Sequence, residues 1–347
     1  MDDRYTDELT RGTTSWPPSV GSARNSTLVS SYTPVMSNNL SDLAFERPAR
    51  RFLHICYCCD DAAAVSKFLV DGFSMRNTMQ TTDEYGSGAI LGLDYQVRSV
   101  GSFVYDKRGP RTSPAVEVQG WYDPTPVGQP SVDPFEVGIK ALGFAVPSID
   151  NAVATLTGLG CAVQSDAPSP YDERIVTLVD SRGVTLELVE NPSLDADATQ
   201  MAHLRITVGS LVESLPFYDM LGFEVTERGN ITDGTFVGLA GIVDGEFVRM
   251  RLPDEPFEVR LIEWRSPVGH GRHYAEPYHA GIFRAALGVD DTRLSYEAMT
   301  AAGAVFDRPP MEVELSGTPV PDMWITFISD PNGIPYEFVQ RPRSAFR

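Results

Sequence analysis

Two acids stand in mainly apolar strands, each just after a glycine turn. Glu337 lies in FISDPNGIPYEFVQRP (327–342) and Glu187 in VTLVDSRGVTLELVEN (176–191). Each follows its turn glycine, Gly333 or Gly183, by four residues, and each turn opens on an aspartate, Asp330 or Asp180. A carboxylate in such a strand is suited to hold a metal ion or to move a proton. Imidazoles are its natural partners, and two lie in short apolar runs: His54 in FLHICYCC and His203 in AHLRITV. Cys56 and Cys58 share His54's face, so a Cys/His site is conceivable, although no CxxC pair accompanies them and free cysteine is usually a small buried hydrophobe. His270, His273 and His279, in GHGRHYAEPYHAG, form a loose cluster on a Gly- and Pro-containing connection, the kind of segment that often carries binding residues.

The elements that must position these groups recur four times. LGFAVPSIDNAVATLTGLGCAV and LGVDDTRLSYEAMTAAGAVF each give an apolar strand, an amphipathic helix, a glycine turn and a new strand. FLHICYCCDDAAAVSKFLVDGFSM and AHLRITVGSLVESLPFYDMLGFEV open in the same way. From the helix start (Asp61, Asp150, Ser210, Asp291) to the turn glycine (Gly72, Gly160, Gly222, Gly303) is ten to twelve residues each time, about three helical turns. Each unit therefore reads strand, helix, three strands. A small sheet with one helix buries only one face well, so units are expected to pair and close the other face into a cup. Alternation along the first strands puts Leu53, Ile55 and Tyr57, and likewise Phe283, Ala285 and Leu287, under the helices. The same alternation turns His54, Gly143, His203 and Arg284 into the cup.

At 347 residues the chain exceeds one ordinary core, so two domains or an internal duplication are expected. A net charge of −19 argues against nucleic acid or an anionic membrane as partner and leaves a small molecule. No apolar run approaches the ~18 residues of a membrane span. The acidic opening MDDRYTDELTRG lacks the basic and apolar regions of a signal peptide. Four cysteines are too few for a disulfide scaffold, so a reduced, cytoplasmic protein is expected. Residues 1–48, rich in Ser, Thr, Pro and Asn, read as a disordered tail. The rest divides into 49–195 and 196–347, two units in each. Four units already supply two pseudo-dimers, so a monomer or a homodimer would serve.

Residues 50 to 342 resemble the vicinal oxygen chelate superfamily, which includes glyoxalase I, extradiol dioxygenases, epimerases and bleomycin-resistance proteins. The likeness rests most on HLRITVGSLVESLPFYDMLGFEV and on the Asp-Pro-Asn-Gly turn running into YEFVQ. It implies an α+β fold of four βαβββ modules paired into two cup-shaped, barrel-like pseudo-dimeric domains. It also implies ligand positions on the first and last strand of each unit, facing into the cup. Unit one then offers His54 and Glu117, unit two Gly143 and Glu187, unit three His203 and Arg260, unit four Arg284 and Glu337. If unit one pairs with two, the metal set is His54, Glu117 and Glu187. If it pairs with four, the set becomes His54, Glu117 and Glu337 beside Arg284. One imidazole and two carboxylates suit Mn²⁺, Fe²⁺, Ni²⁺ or Zn²⁺. Under the first pairing, the arginines make units three and four a structural copy in which Glu337 pairs with Arg284 or Arg260 and holds His203. Each candidate also has a structural reading: His54 as a satisfied core histidine, Glu117 as a solvated strand-face acid, Trp121 and Trp264 as packing.

The resemblance implies a divalent-metal-dependent isomerase, epimerase or lyase. The ion would bind oxygens of a hydroxy-ketone, and Glu187, or Glu337 under the other pairing, would carry the proton. A cyclitol ketone of the 2-epi-5-epi-valiolone type would suit inward arginines and acids. An extradiol-type dioxygenase is the alternative, but Arg284 stands where its second histidine belongs unless His279 substitutes. A metal-free binding or resistance protein is the third reading.

Overall fold

The computed structural model describes residues 45–320 and 322–340. Most of the expected N-terminal tail lies outside these residues, and Arg47 at its end pairs with Asp219 at 2.6 Å. Unit one comprises β1 (Ala49–Cys59), α1 (Ala62–Phe73), β2 (Arg76–Gln80), a short β3 (Glu84–Ser87), β4 (Gln96–Tyr105) and β5 (Ala115–Asp123). Unit two comprises β6 (Gly138–Val146), α2 (Ile149–Gly158), β7 (Ala162–Pro168), β8 (Arg174–Val179) and β9 (Thr185–Glu190). Unit three runs through β10 (Gln200–Val208), α3 (Leu211–Leu221), β11 (Glu224–Asp233), β12 (Ile242–Arg251) and β13 (Glu258–Ser266). Unit four closes with β14 (Gly281–Val289), α4 (Thr292–Ala301), β15 (Arg308–Val313), β16 (Met323–Ser329) and β17 (Pro335–Gln340).

The repeated turns form for a local reason. Asp330 accepts from the backbone N–H of Asn332 and Ile334, and Asp180 accepts from Arg182 and Val184. Gly333 and Gly183 then take φ of +88° and +89°, which a side chain would resist. The helices start on caps as expected at Asp61, Ser210 and Asp291. In unit two the cap is Ser148, not Asp150; its hydroxyl accepts from Asn151 N. Gly72 is no turn residue: it lies inside α1, where a Cβ would stand 2.8 Å from Leu156 of α2. Ser74 takes the left-handed conformation that ends α1.

Two curled half-barrel sheets result, and their membership corrects the division at 195/196. One runs β15-β16-β17-β14-β1-β5-β4-β2, with β3 on β4; the other runs β11-β12-β13-β10-β6-β9-β8-β7. Unit one therefore shares a sheet with unit four, and unit two with unit three. The joints are antiparallel, β1 on β14 and β10 on β6. Units one and two meet instead through the layer behind the sheets. Phe73 stacks on Phe144 with centroids 4.0 Å apart, and Tyr57 donates to Asp180 at 2.6 Å.

Bulges at each joint alter the alternation. The β1–β14 register slips between Phe52 and His54 and again between Cys56 and Tyr57. An extra residue in a bulge is free to turn to either face. Leu53 and Phe283, expected under the helices, pack on the cup side, Leu53 with Ala286 and Met323, Phe283 with Cys56 and Trp121. Phe52 takes the buried place behind the sheet, against Phe223 and Phe257.

Candidate metal centre

His54 on β1, Glu117 on β5 and Glu337 on β17 meet inside the cup of units one and four. One ligand atom from each lies within 4.8 Å of the others. Among the described residues this is the one such group of three His, Cys, Asp or Glu side chains. His54 Nε2 stands 3.3 Å from Glu117 Oε2 and 3.4 Å from Glu337 Oε2. Those separations are long for a charge-assisted hydrogen bond. They match the edge of a coordination polyhedron with bonds of about 2.1 Å, which puts ligand atoms about 3.0–3.4 Å apart. The donor set and its spacing thus fit a divalent ion. Phe103 presents its ring to His54 edge-on at 5.5 Å and fixes that wall.

Arg284 on β14 closes the set. Its Nε donates to Glu337 Oε2 at 2.9 Å and its Nη2 to Glu117 Oε2 at 2.8 Å, while Nη1 is buried without a partner. Burial would raise Glu337, but Arg284 and the His54 hydrogen bond overcome it and hold the acid at about 2. The four side chains keep 6–10% of their surface exposed, so solvent still reaches them. Cys56 and Cys58 do not join the group. Their sulfurs lie 3.7 Å apart, and burial, aided by Cys58, pushes the Cys56 thiol well above its ordinary range.

The set His54, Glu117 and Glu187 is not assembled, because Glu187 belongs to the other sheet. There His203 Nε2 donates to Glu187 Oε2 at 2.7 Å and Arg205 Nε to Oε1 at 2.5 Å. Glu187 and His203 are fully buried. Burial alone would raise Glu187, but Arg205 and His203 bring it down to about 2. Arg260 does not reach Glu337; it bonds Glu258 at 3.2 Å and Glu173 at 3.1 Å, over the Tyr171 ring. Nor does His203 meet Glu337. In the second cup Glu187 is held by His203 and Arg205 at 2.7 and 2.5 Å, direct hydrogen bonds shorter than a ligand edge.

Gly143 is not the lost ligand of unit two. His54 pairs with Ala286 and His203 with Gly143, so the residue standing where Arg284 stands is Ala141. Gly143 instead makes room for the His203 ring, which a Cβ would meet at 2.1–2.3 Å. Gly143→Ala should therefore push His203 off Glu187 and lower stability by about 1–3 kcal/mol, read as a fall in the urea midpoint at unchanged slope.

Arg205 lies two residues beyond His203 and shares its inward face, so strand alternation alone marks it as a partner of Glu187. The loop histidines prove structural. His273 Nε2 donates to Phe283 O at 2.6 Å, His279 stacks on Tyr274 at 3.8 Å, and His270 faces Asp133.

Burial lowers His203, aided by Arg260, and burial brings His273 down to about 4. Both bind protons more weakly folded than unfolded, so their contribution is complete above about pH 6.5 and fades as pH falls. Glu187, ordinarily near 4.3, adds a second loss between about pH 4.3 and 2. Melting temperature should hold above pH 7, decline from about pH 6.5 to 4, and drop further below. His273→Asn should flatten the first decline, as scanning calorimetry across pH would read.

A sequence model described as Glyoxalase/Bleomycin resistance protein/Dioxygenase superfamily matches residues 200–338. That match runs from β10 into β17, through units three and four. Solved structures share the fold over most of the chain. Glyoxalase I from Zea mays superposes with a TM-score of 0.62 at 17% identity, over 83% of this chain and 92% of that one. A putative dioxygenase from Bacillus subtilis superposes with a TM-score of 0.56 at 14% identity, over 85% and 86%. No curated protein matches. Among the described residues no helix is long and apolar enough to cross a membrane.

Proposed function

We propose that the cup of units one and four is the active centre of a divalent-metal-dependent isomerase, epimerase or lyase. Its substrate is a small molecule with neighbouring oxygens beside a C–H bond, such as a cyclitol ketone of the 2-epi-5-epi-valiolone type. The reading rests on the spacing of His54 Nε2 from the two carboxylates, which is that of ligands around a shared centre. His54, Glu117 and Glu337 would hold the ion. When bound it supplies Lewis-acid polarisation of the substrate's oxygens.

The chain's own residues do the rest. Arg284 offers its unpartnered Nη1 to a substrate oxygen on which negative charge develops. Glu337 receives the proton. Held near 2 it is a poor base, but a substrate that draws Arg284 away removes the main influence that keeps it acidic and makes it a stronger base. A Cβ at Gly101 would touch Gln119 Oε1, Glu117 Oε1 and the Phe103 ring at 3.5–3.7 Å, so that wall of the site is closely packed.

The dioxygenase alternative needs a second histidine, and the group contains one. His279 is engaged by Tyr274 and by Ala280 O. The test is metal content by elemental mass spectrometry after reconstitution with Mn²⁺, Fe²⁺, Ni²⁺ or Zn²⁺, joined to deuterium exchange from D₂O into hydroxy-ketones. One bound ion, lost in His54→Ala and kept in His279→Ala, with exchange at the carbon beside the carbonyl, is the expected result. Absence of bound metal from every preparation would leave a binding protein, and consumption of O₂ would restore the dioxygenase.

A further inference from the structure

The second cup inverts the polarity of the first at equivalent positions. Cys56, opposite Glu117, corresponds to Arg205, opposite Arg260. Phe283, the bulge residue beside Arg284, corresponds to Lys140 beside Ala141. Phe327, opposite Glu337, corresponds to Thr177, opposite Glu187. Two cations and a hydroxyl thus replace a thiol and two aromatic rings, in a place where burying charge is costly unless it is answered.

Lys140 and Arg205 line a cavity of about 30 Å³ together with Ser131, Gln164, Thr177 and Thr185, and no carboxylate lines it. Lys140 is 7% and Arg205 2% exposed. Arg205 spends Nε on Glu187 and its buried Nη1 has no partner. Lys140 donates to Asp133 O at 3.1 Å, and its nearest acid, Glu136, is 3.8 Å away. The Ser131 hydroxyl accepts from Asp133 N, which leaves its proton free to donate.

We infer that this cavity is an anion site that takes the carboxylate group of a small ligand between Lys140 and Arg205. The volume is above the ~10–15 Å³ that one water requires and suits a compact planar head rather than a whole substrate. An incoming carboxylate would use the free Nη1 and the ammonium as charge-assisted donors. The site is independent of the metal centre, which lies in the other sheet.

The chain contains three lysines, Lys67, Lys107 and Lys140, so their ε-carbons can be followed singly by NMR in ¹³C-lysine protein. Burial, ahead of repulsion from Arg205, lowers Lys140 to about 8, while a bound anion favours its charged form. Formate added at constant ionic strength should raise Lys140 by about one unit and leave Lys67 and Lys107 in place. Lys140→Gln should weaken formate binding by roughly tenfold or more, read from the Thr177 and Thr185 amide shifts. His54→Ala should bind formate as the parent does. An unmoved Lys140, equal shifts at all three lysines, or formate binding that survives Lys140→Gln but fails in His54→Ala would each overturn the site.

Discussion

Glu337→Gln will slow proton exchange into the substrate by about 10²–10⁴-fold while the protein stays folded. The amide keeps the size of the side chain and an oxygen toward His54, but it cannot accept a proton under working conditions. It also leaves Arg284 with Glu117 as its remaining charged partner, since Nε currently donates to Glu337 Oε2 at 2.9 Å. The comparison variant is Glu117→Gln, which removes the same charge from the opposite wall without removing the base. If Glu337 is the base, Glu337→Gln retains metal and binds substrate, yet deuterium no longer enters from D₂O. Equal exchange rates in the two variants would show that both acids act only by holding the ion.

Glu187→Gln, at the corresponding strand position in the second cup, will instead unfold the protein more easily. Glu187 is fully buried and answers both Arg205 and His203. Removing its charge strands a buried guanidinium, a change that costs about 3–5 kcal/mol. Chemical denaturation should show that loss, with metal content and exchange in the folded fraction unchanged. Replacing Glu187, Arg205 and His203 together by apolar residues of similar size should recover much of the stability. A Glu187→Gln protein of parental stability that loses its metal would place the ion in the wrong cup.

The two acids that look alike in sequence therefore have different work, and the local pattern cannot tell them apart. The sequence determined the repeating unit, since turn chemistry and helix capping act within a few residues. Asp180–Gly183 and Asp330–Gly333 form the same turn, and three of four helix caps fell where expected. It also determined that His54, Glu117, His203 and Glu337 face inward, because strand alternation is set by the backbone itself.

Only the tertiary structure decided which of these residues meet. Any unit has the same open edge and the same apolar face, so pairing one with two or with four satisfies every local rule. The choice is made by long-range contacts such as the β1–β14 joint and the stack of Phe73 on Phe144. The bulges at the joints lay equally outside local reach, for they arise from the fit of two distant strands. They moved Leu53 and Phe283 into the cup and set Lys140 beside Arg205. Glu337 thereby reached His54, and Glu187, after the same turn and in the same kind of strand, was left to bind Arg205 and His203.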